Sequence, residues 1–270
     1  MKGENKYMNK VKRLSILLFV FISIVLIVIY NKNSYTIKFA PEKGREYKVS
    51  YNVNLQSEDE AISIKNNFNI NLKCINIKQK KTYIEVKYND YVVETKENGI
   101  SIKVDEDSEI FGESVSKLKT SKFKGYVYEK SNFLKYNLIS GDENVLGDST
   151  LNIEEQQEKL IEIITCFVGE NVKNDSNVNV NLEKILGKDI CKNINLKDTN
   201  INGKVKAIKN NIALIELNNN DNKKNNVKIK LSSQVNINTG MIRYMKVDID
   251  DKSKDGARKT FMTDIFIEEE

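Results

Sequence analysis

The feature that constrains this chain most is a two-residue period. From Tyr47 onward, apolar side chains take every second position through Val49, Tyr51, Val53 and Leu55, with polar residues between them. Successive side chains of a strand point to opposite faces, so this pattern makes one face apolar and the other wet, as in an antiparallel sheet packed on one side. The alternation returns over Ile62 to Ile77, where Asn and Lys separate Phe68, Ile70 and Leu72, and again over Tyr83 to Val93. Pro41-Glu42-Lys43-Gly44 turns the chain into the first strand, while Lys78-Gln79-Lys80-Lys81 and Asn98-Gly99 divide the later ones. Ile100 to Val104, Phe123 to Tyr128 around Gly125, and Phe133 to Ile139 read as further strands, with Asp105 to Glu109 as an acidic loop.

A helical period replaces the alternation once outside the N-terminal region. From about Ile153 to Val168, Leu160, Ile163, Ile164 and Phe167 share one face. Asn152 with Glu155 makes a capping pair, Glu154 and Glu158 suit the positive end, and Gly169 supplies the stop. This is the one helix expected outside a membrane, and its apolar face needs the concave side of the sheet. A short turn covers Leu182 to Leu186. From Asn202 the strand pattern resumes, with polar hairpin tips at Asn218 to Asn226 and Asp250 to Arg258 and a last strand from Thr260 to Ile267.

Leu14 to Tyr30 is of a different kind: an uncharged run in which Ser15 and Ser23 are the only small polar residues. As a helix rising about 1.5 Å per residue it reaches roughly 25 Å, the short end of what crosses a hydrocarbon core of about 30 Å. Lys2, Lys6, Lys10, Lys12 and Arg13 precede it against a single Glu4, and basic flanks stay in the cytoplasm. A cleaved signal peptide is the alternative, but Asn31-Lys32-Asn33-Ser34-Tyr35 offers no small-residue cleavage site. The expected organisation is a cytoplasmic stub at 1–13, a signal anchor at 14–30, a tether at 31–36 and an extracytoplasmic domain at 37–267. The stub carries five of the 43 basic residues and one of the 38 acidic ones, so the outer part is close to neutral and is no nucleic-acid binder.

The strand region repeats itself. Ile77 to Val86 lines up without gaps on Ile208 to Leu217, and Gly125-Tyr126-Val127-Tyr128 has a counterpart in Gly240-Met241-Ile242-Arg243. Two related halves, about 37–140 and 200–267, would flank the helix. The order of turn glycine, tyrosine-rich strand, strand pair ending in an Ile-Glu-Val-like motif, Gly-x-Val/Ile strand, helix and second such set resembles a group of uncharacterised bacterial exported proteins built from two related β halves, a domain of unknown function. The resemblance spans about 37 to 267, implies an extracytoplasmic curved sheet, and transfers no catalytic residues. A curved sheet closed by one helix also resembles the lipoprotein-carrier half-barrel.

The residue inventory removes much chemistry. No histidine is present, so Ser-His-Asp and Cys-His catalysis are excluded along with the commonest zinc ligand. Cys74, Cys166 and Cys191 cannot all pair; their apolar neighbours mark them as small buried hydrophobes, a Cys166 to Cys191 disulfide being the alternative. Three Ser-x-x-Lys matches, at Ser114, Ser116 and Ser121, lack the partner motifs of penicillin-binding enzymes. Asp248, Asp250, Asp251 and Asp255 gather oxygen ligands, but Ser253 and Lys259 stand where a calcium loop needs glycine and glutamate. No glycine-rich phosphate loop follows a strand, and no Trp offers a sugar-stacking platform.

The reading is therefore a mainly β, β-rich α+β chain: an N-terminal transmembrane helix, then a curved antiparallel sheet or half-barrel of two related halves with one packed helix. It is a single-pass plasma-membrane protein with its N-terminus in the cytoplasm. No catalytic, metal or cofactor residues are expected. Its expected role is non-enzymatic, in interaction or envelope structure, with a protein partner at the cell surface. The alternative is carriage of a lipid-like ligand in a cavity lined by Val49, Tyr51, Ile70, Leu72, Ile84, Leu160 and Ile164.

Overall fold

The computed structural model describes residues 34–270 apart from 59–60, 131–132, 148–150, 194–195, 197, 219–226 and 253–257. The expected anchor at Leu14 to Tyr30 and the stub before it lie outside the described residues. Among the described residues no helix is long and apolar enough to cross a membrane. The chain divides into two units, Met1–Tyr35 and Thr36–Glu270, and the sheet and helices belong to the second.

Among the described residues the alternating segments form one antiparallel sheet of twelve strands. In chain order these are β1 (Glu46–Ser57), β2 (Ile62–Lys78), β3 (Lys81–Glu97), β4 (Ile100–Val104), β5 (Phe123–Lys130), β6 (Phe133–Ser140), β7 (Asn177–Asn181), β8 (Asn200–Lys209), β9 (Ile212–Asn218), β10 (Val227–Asn236), β11 (Ile242–Lys252) and β12 (Arg258–Glu269). Across the sheet they run β6-β5-β3-β2-β1-β12-β11-β10-β9-β8-β7, with β4 also on β3. The first and last long strands, β1 and β12, meet in the middle. Tyr47, Val49 and Tyr51 stand opposite Leu72, Ile70 and Phe68 on β2, so the apolar rows of neighbouring strands coincide.

Two-residue turns fix that register. Lys78 pairs with Lys81 around Gln79 and Lys80, whose φ values are 53° and 61°. Lys209 pairs with Ile212 around Asn210 and Asn211, at 50° and 62°. Both hairpins thus have two left-handed central residues, the turn whose twist suits antiparallel strands. The sequence match between Ile77 to Val86 and Ile208 to Leu217 extends to this backbone geometry. The matched glycines diverge: Gly125 is within β5, whereas Gly240 precedes β11 with φ +71° against the Lys38 carbonyl.

Among the described residues five helices accompany the sheet: α1 (Gly112–Thr120), α2 (Glu143–Leu146), α3 (Ile153–Ile164), α4 (Leu182–Leu186) and α5 (Lys188–Asn193). The expectation of one packed helix is corrected here. α1 presents only Val115 and Leu118 as buried side chains beside Gly112, too few to read as an apolar stripe in a Ser- and Lys-rich run. α3 is the expected amphipathic helix, but it ends at Ile164 and not Val168, where the Thr165 hydroxyl donates to the Ile161 carbonyl. It starts at Ile153 as expected, but its cap differs: Asn152 is left-handed and its side chain caps no backbone N–H, its amide instead reaching Glu155. The edge strand β7, short and built from Asn and Val, is an addition to the sequence reading.

α3 packs against β6, α2 and α4, with Leu160, Ile161, Ile163 and Ile164 all buried. A single hydrophobic cluster joins these residues to the apolar face of the sheet. Past the helix, Gly169 donates its N–H to the Ile37 carbonyl and Ile37 donates to Glu170, which ties the start of the domain to the helix exit.

Gly125 allows the buried Tyr136 ring to lie over β5: a Cβ there would stand 2.3 Å from that ring. The ring has no room to swing, because its hydroxyl donates to Gln157 at 2.6 Å. Gly125→Ala should lower stability by about 1–3 kcal/mol, as overpacking does. A urea midpoint that falls at unchanged m checks this, and an unchanged midpoint would show that Tyr136 yields.

Candidate functional site

Where α3 crosses β1 and β2, helix and sheet leave a groove of about 190 Å³. Its floor is the pair Tyr51 and Phe68, which face each other across the β1–β2 ladder with ring centroids 4.7 Å apart and planes at 28°. Asn66 continues that row at one end, two residues from Phe68 on the same side of β2. The opposite wall is a single helical face: Asn152, Glu155, Gln156, Lys159, Leu160 and Ile163, spaced by three and four residues. Leu160 and Ile163 extend the apolar floor, and the remainder form a polar rim.

The rim's charges already have partners. Glu155 accepts from the Asn152 amide. Lys159 donates to the Glu183 carbonyl at 2.9 Å and pairs with Glu162 at 3.4 Å. The Gln156 amide nitrogen donates to the Tyr91 hydroxyl and to the Leu151 carbonyl. Two oxygens are different: Gln156 Oε1 and Asn66 Oδ1 are buried, and no donor among the described residues reaches them. Such atoms are uncommon in folded proteins.

Behind the groove lies a cluster of tyrosines. Tyr88 packs edge-on to Tyr91 and Phe123, and beside it Gln157 accepts from the Tyr136 hydroxyl. Burial pushes the Tyr51 phenol up to about 12, a hydrogen bond with Thr263 opposing part of the shift. Burial likewise raises Tyr88, Tyr91 and Tyr136. These hydroxyls stay protonated at neutral pH and serve as hydrogen-bonding groups. Cys166 is buried and its thiol is pushed up to about 12, so it is not a thiolate nucleophile.

Of the residues expected to line a cavity, Tyr51 and Leu160 meet in the groove. Val49, Ile70, Leu72, Ile84 and Ile164 lie in the packed core beside it, each no more than 1% exposed. They are joined with the buried side chains of α3 in one hydrophobic core cluster, so no depth is left for them to line. Asn66, Gln156, Glu155 and Lys159 were not anticipated. Alternation carried a signal for Asn66, a polar residue in the row of Phe68 and Ile70. Helical spacing carried one for Gln156, one turn before Leu160.

The other chemistry-bearing clusters are occupied by structural contacts. Ser114 and Ser116 lie on α1, where Lys117 pairs with Glu113 at 2.6 Å. Asp250 receives two hydrogen bonds from the Arg258 guanidinium, at 2.8 and 3.1 Å, which hold its carboxyl below the usual range. In the acidic loop, Asp105 pairs with Lys103 and Glu106 with Lys119. All three cysteines are free and buried. Among the described residues no group of three acidic or cysteine side chains could hold a metal ion.

No protein-family model and no curated protein matches the chain. Among solved structures, a DUF1329 family protein from Desulfovibrio piger aligns over 84% of this chain and 85% of its own length, at 7% identity and a TM-score of 0.19. At that score the likeness carries nothing about function.

The buried phenols make stability pH-dependent. Each has a folded pKa above its unfolded value of about 10, so its contribution is complete below pH 10 and is lost as pH rises through the folded value. For Tyr51 the window is about pH 10 to 12. The urea midpoint should therefore fall across that range while the phenolate absorbance of the folded protein lags behind that of the unfolded chain. Coincident titration of all tyrosines near pH 10 would contradict the burial.

Proposed function

We propose that this chain is a single-pass membrane protein whose β domain lies outside the cell and acts as a non-enzymatic binder, holding the apolar end of a small amphipathic molecule in the groove between α3 and strands β1 and β2. The observation that carries the reading is the groove's composition: an aromatic and aliphatic floor beneath a polar rim that includes two buried, unpartnered oxygens. Binding sites have this make-up, mostly apolar with a few placed polar groups. We read the sheet as a curved half-barrel of two related halves that meet where β1 pairs with β12.

Size narrows the ligand. Sites for drug-sized molecules run from about 300 to 1,000 Å³, and a cavity of about 150 Å³ takes a benzene ring. A groove of about 190 Å³ therefore suits one ring or a short alkyl segment, with the rest of the molecule in solvent. The wholly enclosed acyl chain of a lipid carrier does not fit beside the packed α3.

Two measurements test the reading. In the full chain in nanodiscs, a water-soluble aryl compound such as benzyl alcohol should slow amide exchange over 152–163 and shift the Tyr51 ring resonances. Leu160→Phe should abolish both by filling the groove. If neither occurs in the wild-type chain, the function moves to a protein partner, and the convex side of the sheet, with its tilted Tyr83, Tyr126 and Tyr128 and the Lys81 ammonium 4.1 Å over the Tyr126 ring, is the surface to examine.

The outer location rests on the uncharged Leu14 to Tyr30 run and its basic flank. Because the native thiols are buried, Lys252→Cys gives a single reactive site. It should react with a membrane-impermeant maleimide on intact, wall-stripped cells, and protection until lysis would reverse the orientation.

A further inference from the structure

The way the chain enters the domain singles out one end of the sheet. Ile37 has both backbone groups engaged, donating to the Glu170 carbonyl and accepting from Gly169. From there the chain crosses the strand ends: Ala40 donates to Thr239 in the turn between β10 and β11, and Gly44 and Arg45 bond the Cys74 backbone on β2. The hairpin of β2 and β3 projects past this crossing, since β1 begins at Glu46, opposite Lys73, while β2 runs on to Lys78. On the projecting part Ile75 and Ile77 are 39% and 50% exposed. Lys73, Lys78 and Lys80 are exposed beside them, with no ion-pair partner among the described residues. From Ile62 to Ile84 the chain holds five lysines and no acidic residue. The acidic side chains at this end are occupied elsewhere, Glu42 and Glu269 by Arg45 and Glu270 by Lys48. Ile100 and Ile102 are exposed as well, but at the opposite end of the sheet, where Lys103 is paired with Asp105.

Six residues, 31–36, separate Tyr30 at the end of the uncharged run from Ile37. Fully extended, those seven steps reach about 25 Å. The end of the sheet that holds Ile37 is thus leashed to the surface that the run enters. We propose that the tip of the β2–β3 hairpin rests on the outer surface of that membrane, with Ile75 and Ile77 at the boundary between headgroups and acyl chains and Lys73, Lys78 and Lys80 on anionic headgroups. Interfacial binding takes this combination, a small apolar area plus cations whose stems lie along it. The contact holds the domain in one orientation on its short tether. The inference rests on the reading of Leu14 to Tyr30 as a membrane anchor.

Gln79→Cys at the tip and Glu97→Cys at the opposite end of β3 each give a single labelling site, because the native thiols are buried. Each is labelled with bimane in the full chain in nanodiscs that contain phosphatidylglycerol and a nitroxide lipid. The nitroxide should quench the probe at 79 and leave that at 97 bright. Ile75→Ser with Ile77→Ser should remove the quenching while keeping the urea midpoint, since both positions are exposed. Lys78→Gln and Lys80→Gln should each lower the ratio of docked to free hairpin about fivefold, the worth of one lysine near an anionic surface. Equal emission at 79 and 97 in a chain that stays with its nanodisc would overturn the contact and leave the anchor, whereas a chain that elutes without the nanodisc would overturn the anchor reading. Quenching that survives the serine pair would overturn the contact as mere closeness on a short tether. A probe at 79 that is bright in nanodiscs but shielded on intact cells would overturn it in favour of a wall polymer or a protein.

Discussion

The fold depends on covering one face of a very wide sheet. Eleven strands in an unbroken path, each apolar on alternate residues, expose more oily surface on one side than strand pairing can hide. α1 lies on β3, and α3 and the segment that follows it supply a further part of the cover. Leu160, Ile161, Ile163, Ile164 and Phe167 are buried there, and each such side chain contributes about 1.5–3 kcal/mol relative to exposure. The groove is a consequence of that cover being incomplete. Where the helix face changes from Ile161 and Ile164 to Asn152, Glu155, Gln156 and Lys159, short or polar side chains stand over Tyr51 and Phe68 and leave space.

Most of the sheet was legible in the sequence because period two is a direct readout of one-sided burial. Tyr47 to Leu55, Ile62 to Ile77 and Thr260 to Ile267 gave strands within a few residues of those observed. The turns were legible for a similar reason, since Asn98-Gly99 and the polar pair at Gln79 and Lys80 sit where a two-residue hairpin demands positive φ. α1 was not legible, because a nine-residue helix with two buried apolar side chains leaves almost no periodic trace. The groove was only half legible. Periodicity says which side of a strand is inside, so it named Tyr51 and Leu160, but it cannot say how far a helix descends onto that side. Val49, Ile70, Leu72 and Ile84 share the inward direction of Tyr51 and differ from it only in what lies above them.

The polar groups inside the domain divide into two kinds. Around Tyr91 and Tyr136 hydroxyls meet the amides of Gln156 and Gln157, although Gln157 Nε2 is left without an acceptor, and buried hydrogen bonds of this sort hold their members in place. That network fixes Gln156 from behind. Its rigidity and the raised tyrosine pKa values have the same origin, the exclusion of water.

Asn66 belongs to the second kind. Phe68, Ile70 and Leu72 set an apolar row on β2, and a leucine at 66 would extend it without leaving an oxygen unmet. A buried acceptor without a donor costs about 1–3 kcal/mol, comparable to the gain from a buried apolar side chain. Sequences that specify a fold keep local choices in agreement with it, and departures from that agreement concentrate at functional sites. Here two departures, Asn66 on a strand and Gln156 on a helix, line the same groove. That shared position, more than the groove's volume, is why the proposed binding is placed there.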